Sequence, residues 1–155
     1  MWYGSSRNRD NSGVKVDLYL SLGSNQGDRR KNIEDALSCL NIEFKAQYKA
    51  VSSIIETEPW GFASDNAFLN AVVEIDTPHT PHELLRITQT IEREMGRTHK
   101  SAGGVYSDRI IDIDILLYED LAINEPDLTI PHPLMWQRKF VYDPLLEIAP
   151  HLKQW

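Results

Sequence analysis

Asp112 and Asp114 sit inside the run Arg109-Ile110-Ile111-Asp112-Ile113-Asp114-Ile115-Leu116-Leu117-Tyr118. In an extended strand, residues two apart point the same way, about 6.5–7 Å from one another. The two carboxylates therefore project side by side from one face, in the company of Ile110 and Leu116. Ile111, Ile113 and Ile115 take the other face. Like charges in a partly apolar setting repel. A hard divalent cation removes that cost, because carboxylates are its preferred ligands. Mg2+ keeps waters and takes its remaining ligands from substrate phosphates. A solvated strand face that happens to bear two aspartates has the same spacing. The pair gains its meaning from what surrounds it.

Basic side chains bracket it. Arg97, His99 and Lys100 precede it in a loop containing Gly103-Gly104, and Arg109 opens the strand. Arginine forks suit phosphate oxygens. A basic, glycine-containing loop beside a metal strand has the makeup of a lid over a polyphosphate, although ordinary solvated loops share that composition. Upstream, Phe68 and Asn70 share one strand face. An aromatic plane beside a carboxamide can stack on a flat heterocycle and pair with its amide edge. Trp60 in the preceding loop offers a further wall. An outward asparagine next to a peripheral aromatic is the plainer alternative. Downstream, Ile130-Pro131-His132-Pro133 holds an imidazole in a rigid, extended turn. It is placed either to donate to a phosphate oxygen or simply to stand exposed. Arg138 and Phe140 follow within one short stretch. Cys39 lies on a predicted helix in no setting that would make it a nucleophile.

These side chains need a frame. Residues 16–22 alternate, with Val16, Leu18, Leu20 and Leu22 on one face, which predicts a half-buried strand. A turn at 23–27 follows. Asp28 then caps a helix whose Ile33, Ala36, Leu37 and Leu40 recur at helical spacing. A second strand is expected within 44–56, a loop to 66, and a third strand over 67–76 with Leu69, Ala71, Val73 and Ile75 facing the core. Thr80, Pro81 and Glu83 form a capping box for the next helix. Its buried stripe is Leu84, Ile87, Thr88, Ile91 and Met95, and Gly96 is expected to close it as a left-handed cap. After a loop over 97–108 comes the aspartate strand, then short helical pieces near 134–138 and 144–148. Strand, helix, strand, strand, helix, strand predicts an α+β fold. It is a ferredoxin-like sandwich, a mainly antiparallel sheet with helices packed on one face.

The bulk properties agree. At 155 residues, 41% apolar and 25% charged, the chain is average for a globular domain and can bury a core without staples. One cysteine excludes an internal disulfide and suits a reducing, cytoplasmic setting. No apolar run reaches membrane-spanning length. A net charge of −7 disfavours nucleic acid while leaving room for a small anionic ligand. The polar, Ser/Asn/Arg-rich start reads as a disordered leader over 1–15, with a single domain over 16–155.

Taken together, these residues resemble the hydroxymethyl-dihydropterin pyrophosphokinases. The likeness runs through Leu22-Gly23-Ser24-Asn25, Phe68-Leu69-Asn70-Ala71, Gln89, Glu92 and Gly96-Arg97. It continues in Asp108-Arg109-x-x-Asp112-x-Asp114-Ile115-Leu116, then Ile130-Pro131-His132-Pro133, Met135, Arg138, Phe140-Val141 and Pro144-Leu145. The resemblance implies transfer of pyrophosphate from ATP to 6-hydroxymethyl-7,8-dihydropterin in folate synthesis, with AMP released. It implies that Asp112 and Asp114 hold two Mg2+ ions and that Arg97 and Arg109 complete the catalytic set. Leu85, Arg97, His99, Arg109, Ile115, His132 and Arg138 would bind ATP. Thr57, Trp60, Phe68, Asn70, Tyr106 and Phe140 would bind the pterin, with Gln89 in support. Loops over 23–27, 58–66 and 98–108 would close on the substrates. Tyr106 stands where many members have tryptophan, and His99 where a second arginine is frequent. A monomer or weak dimer is expected, without nucleic-acid or membrane partners. Two other readings fit parts of the pattern. One is a non-catalytic ferredoxin-like binding module. The other is a D-x-D nucleotidyl transferase, which would release pyrophosphate instead of AMP.

Overall fold

The computed structural model describes residues 15–57, 67–96 and 110–152. Trp60, Arg97, His99, Tyr106 and Arg109 lie outside them, as does nearly all of the expected leader. The elements run β1 (Val16–Ser24), α1 (Arg29–Phe44), β2 (Ala50–Val51), β3 (Ile55–Thr57), β4 (Phe68–Thr77), α2 (Pro81–Gly96), β5 (Asp112–Tyr118), β6 (Ile123–Glu125), β7 (Leu128–Ile130) and α3 (Lys139–Ile148). The main sheet has the order β2-β4-β1-β5, with β3 also on β4, and every pairing is antiparallel. This is the expected ferredoxin-like arrangement with its second strand broken in two. The break falls at Ser52 and Ser53. Ser52 Oγ accepts the Val72 N–H at 2.9 Å in place of a ladder carbonyl. Ser53 turns its N–H and hydroxyl to the Glu147 carboxylate of α3. A β6–β7 hairpin, for which no strand was expected, turns at Pro126-Asp127.

Strand alternation fixes what lies on each side. Leu18, Leu20 and Leu22, Ala71, Val73 and Ile75, and Ile113 and Ile115 face α1 and α2. There they pack on Ile33, Ala36, Leu40, Phe44, Leu84 and Ile91. Asp28 caps α1 by accepting the Lys31 N–H at 3.1 Å. The capping box of α2 is formed: the Thr80 N–H donates to Glu83 Oε1 at 2.8 Å and the Glu83 N–H to Thr80 Oγ1 at 3.3 Å. Gly96 remains helical and does not adopt the left-handed angle expected of it. Among the described glycines the positive φ, 66°, belongs to Gly27 at the turn into α1. Glycine accepts either conformation.

The expectation of helices on one face only is corrected. The opposite face also buries apolar side chains: Tyr19, Val72 and Leu116 pack against Met135, Val141, Leu145 and Ala149, so α3 covers it. A register shift between Tyr19 and Leu20 contributes, because Tyr19 pairs with Leu117 and Leu20 with Ile115. Leu116 is thus one extra residue in β5. The bulge puts both Leu116 and Leu117 on the α3 side and returns Tyr118 to the inner core. Leu145 is fully buried. Leu145→Ala is therefore expected to cost about 2–5 kcal/mol, read from the midpoint of urea unfolding. A cost near that of a surface substitution would mean that α3 does not close this face.

Candidate active site

β5 is an edge strand, and two contacts hold its open side. Glu92 Oε2 on α2 accepts the Ile113 N–H at 2.7 Å. The His132 N–H donates to the Leu116 carbonyl at 2.9 Å. Capping these two backbone groups makes the edge harder to slip or to extend with another strand. The side chains of Asp112 and Asp114 consequently stay on the outer face. In the ladder they stand opposite Gly23 and Ser21 of β1, a residue with no side chain and one with a short hydroxyl.

His132 sits next to them, after the cis Ile130–Pro131 bond. Its Nδ1 accepts the Leu134 N–H at 3.2 Å, so the proton of the neutral ring resides on Nε2. Burial pushes its pKa below the ordinary histidine value. The Arg138 charge pushes it further down, and Asp112 pulls it partly back. All three groups therefore share one electrostatic neighbourhood. Arg138 precedes α3, and its guanidinium lies over the Phe140 ring, 5.9 Å from the centroid. That cation–π contact fixes the ring with one face occupied.

On the far side of Gly23 stands Asn70, its ladder partner on β4. Asn70 is buried, and its Nδ2 donates to Thr57 Oγ1 on β3 at 2.8 Å. The carboxamide oxygen leans over Gly23. A Cβ added there would come to 3.1 Å from Asn70 Oδ1 and 3.5 Å from the Phe68 ring. Asn70, Gly23 and Asp112 thus form one row across three strands. With strands about 4.8 Å apart, the backbones of Asn70 and Asp112 stand about 10 Å from each other. The turn after β1 is a built part of this floor. Ser24 and Asn25 are buried, and Asn32 of α1 donates to Ser24 Oγ at 3.1 Å and to the Gln26 carbonyl at 2.8 Å.

The structure brings together Asp112, Asp114, His132, Arg138, Phe140, Asn70, Thr57 and Phe68. It does not bring Leu85 and Ile115 to the aspartate face: both pack with the inner core. Gln89 is exposed on α2. Cys39 is half-buried on α1, and burial raises its thiol pKa, the direction of an inert cysteine. Two contributors were not read as such from the sequence: Glu92, and Arg29 on α1. Glu92 follows Ile91 in the stripe of Leu84, Thr88 and Ile91 that α2 buries. A carboxylate at the edge of a buried stripe needs a donor, and that is the signal that would have found it.

Paired carboxylates, an imidazole and an arginine on one side of Gly23, with an amide on the other and aromatic rings nearby, suit a phosphoryl-transferring enzyme. A model of the 7,8-dihydro-6-hydroxymethylpterin-pyrophosphokinase family matches residues 19–150. The 2-amino-4-hydroxy-6-hydroxymethyldihydropteridine pyrophosphokinase of Porphyromonas gingivalis is 52% identical over 136 residues, 87% of this chain and 92% of that one. Its Bacillus subtilis counterpart is 42% identical, over 88% of this chain and 80% of that one. The folic acid synthesis protein FOL1 of Dictyostelium discoideum is 38% identical, and the match covers 93% of this chain but 21% of that one. The fold also matches Plasmodium falciparum HPPK-DHPS with a TM-score of 0.63 at 16% identity, over 93% of this chain and 41% of that one. The chain belongs to the hydroxymethyldihydropterin pyrophosphokinase family. It is a diphosphotransferase of folate biosynthesis, and its family acts on ATP and a pterin.

Gly23→Ala places a methyl group against the Asn70 carboxamide. It is expected to raise the KM for the pterin about tenfold or more while leaving the KM for ATP near its original value, measured by AMP release. Equal rises in both constants would show that the surface over Gly23 does not serve the pterin.

Proposed function

We propose that ATP and 6-hydroxymethyl-7,8-dihydropterin meet on the outer face of the sheet, where Asp112 and Asp114 hold two Mg2+ ions along the triphosphate. The observation that carries this reading is the row Asn70–Gly23–Asp112, which sets a carboxamide and a metal-type carboxylate on either side of a residue that has no side chain. Two carboxylates suit Mg2+, which relies on water and substrate phosphates for the rest of its shell. When bound, the metal supplies neutralisation of the charge that develops on the transferred group and on the leaving oxygen.

The chain's own residues do the positioning. Asn70 pairs with the amide edge of the pterin, held in place by Thr57, with Phe68 and Trp60 as walls. Phe140 stacks on the pterin with the ring face turned away from Arg138. His132 donates its Nε2 proton to a phosphate oxygen, a role that its neutral state preserves. Arg138 binds the triphosphate beside it. Arg97 and Arg109 contact the transferred diphosphoryl group, His99 adds charge that varies with pH, and Tyr106 stacks where other members use tryptophan. The pterin hydroxyl oxygen attacks the β-phosphorus. A bond from that oxygen to the β-phosphorus forms and the bond from the β-phosphorus to the bridging oxygen breaks. AMP leaves with the electron pair, and the hydroxyl proton passes to solvent. Alignment and charge neutralisation are the main needs of such a transfer. The chain works in the cytoplasm as a monomer or weak dimer.

Asp114→Asn is expected to fold as before and to lose on the order of 10²–10³-fold in turnover. Its urea midpoint without Mg2+ should be unchanged or higher, because one of two repelling charges is gone. AMP release at the original rate would refute the metal role.

A further inference from the structure

Arg29, the first residue of α1, lies behind the sheet, on the side away from the aspartates. One of its terminal nitrogens, Nη1, donates twice: to Glu56 Oε2 at 2.9 Å and to the Ala67 carbonyl at 2.8 Å. Glu56 is the middle residue of β3, and Ala67 immediately precedes β4. The ladder between those strands has three pairs, Ile55 with Asn70, Glu56 with Leu69 and Thr57 with Phe68. A three-residue edge strand has little pairing of its own to hold it. The single nitrogen therefore joins both strands at the Thr57–Phe68 end of the described ladder. Thr57 ends that strand, and its hydroxyl is the group to which Asn70 Nδ2 donates.

From this we infer that Arg29 is a positioning residue for the pterin. By pinning β3 to the start of β4 from behind, it keeps the Thr57 hydroxyl where it orients the Asn70 carboxamide. The inference rests on the reading of Asn70 as the pterin-reading group. It also separates two roles that Arg29 could play. The Arg29–Glu56 pair is partly solvated, with 31% and 58% of the side chains exposed, and such pairs add little to global stability. Its removal should be felt locally, in the aim of the amide, far more than in the melting of the fold.

The test is a set of steady-state measurements on the full chain, with AMP as the product followed. Arg29→Met, which keeps the apolar stem, is expected to raise the KM for the pterin about tenfold, with kcat and the KM for ATP within about twofold of the original and little change in Tm. Arg29→Lys, which retains a donor, should recover part of the loss and stands in if Arg29→Met does not fold. In a Thr57→Val background, which has already lost the orienting hydroxyl, Arg29→Met should add little. Two results overturn the inference while leaving the Asn70 reading intact. In one, Asn70→Ala raises the pterin KM but Arg29→Met does not. In the other, the effects of Arg29→Met and Thr57→Val multiply, as for an unspecific loosening. A pterin KM unchanged in Asn70→Ala overturns both.

Discussion

Asp112 and Asp114 cannot turn away from each other without breaking the ladder that β5 makes with β1. Their shared face follows from the two-residue period of the strand, and that period is locked by three pairings with Leu22, Ser21 and Gly23. Glu92 and His132 secure the strand from its open side. The strand thus holds two carboxylates together on one face. At the other end of the same face a cluster of carboxylates is neutralised from within. Lys49 Nζ lies 3.2 Å from Asp17, 3.5 Å from Glu74 and 3.5 Å from Asp76. Where the protein supplies its own cation, a carboxylate cluster is structural. At the aspartate pair Asp112 shares its neighbourhood with His132 and Arg138, and two carboxylates are the kind of ligand that Mg2+ takes together with substrate phosphates.

The two faces of the sheet divide the labour. The inner one is a continuous apolar layer under α1 and α2, and it provides most of the burial. The outer one is apolar only where α3 covers it, at Tyr19, Val72 and Leu116, and turns polar toward Ser21, Gly23, Asn70 and the aspartates. α3 thereby does two jobs: its body closes the second core, and its start presents Arg138 and Phe140 to the site. The first turn of α1 reaches the site from behind. Asn32 ties down the floor after β1 and Arg29 pins β3 to the start of β4. Rigid elements holding short polar side chains are what alignment-driven transfer requires.

Much of this was legible in the sequence because it depends on local periodicity. The alternation in β1, β4 and β5 gave both faces, and the box Thr80-Pro81-x-Glu83 gave the start of α2. Features that depend on partners distant in sequence were less legible. The edge strand breaks at Ser52 because Glu147, far along the chain, takes Ser53. α3 covers the second face because a bulge at Leu116 enlarges its apolar patch, and no local pattern announces a bulge. Gly23 was legible as a turn marker, but its part in the site comes from standing between Asn70 and Asp112, a relation set by register. The family resemblance named most of the site residues. Geometry added which of them share a surface: the aspartates, His132, Arg138, Phe140 and Asn70 do, whereas the side chains of Leu85 and Ile115 point into the inner core.

The central claim is that Asp112 and Asp114 bind the cations that hold the triphosphate facing the pterin hydroxyl. The most direct measurement is a crystal structure with Mg2+, a nonhydrolysable ATP analogue and the pterin. Two ions within about 2.0–2.1 Å of carboxylate oxygens from both aspartates, bridging the phosphates, is the predicted result. Ions seated on other residues, with both aspartates turned to bulk solvent, would contradict it.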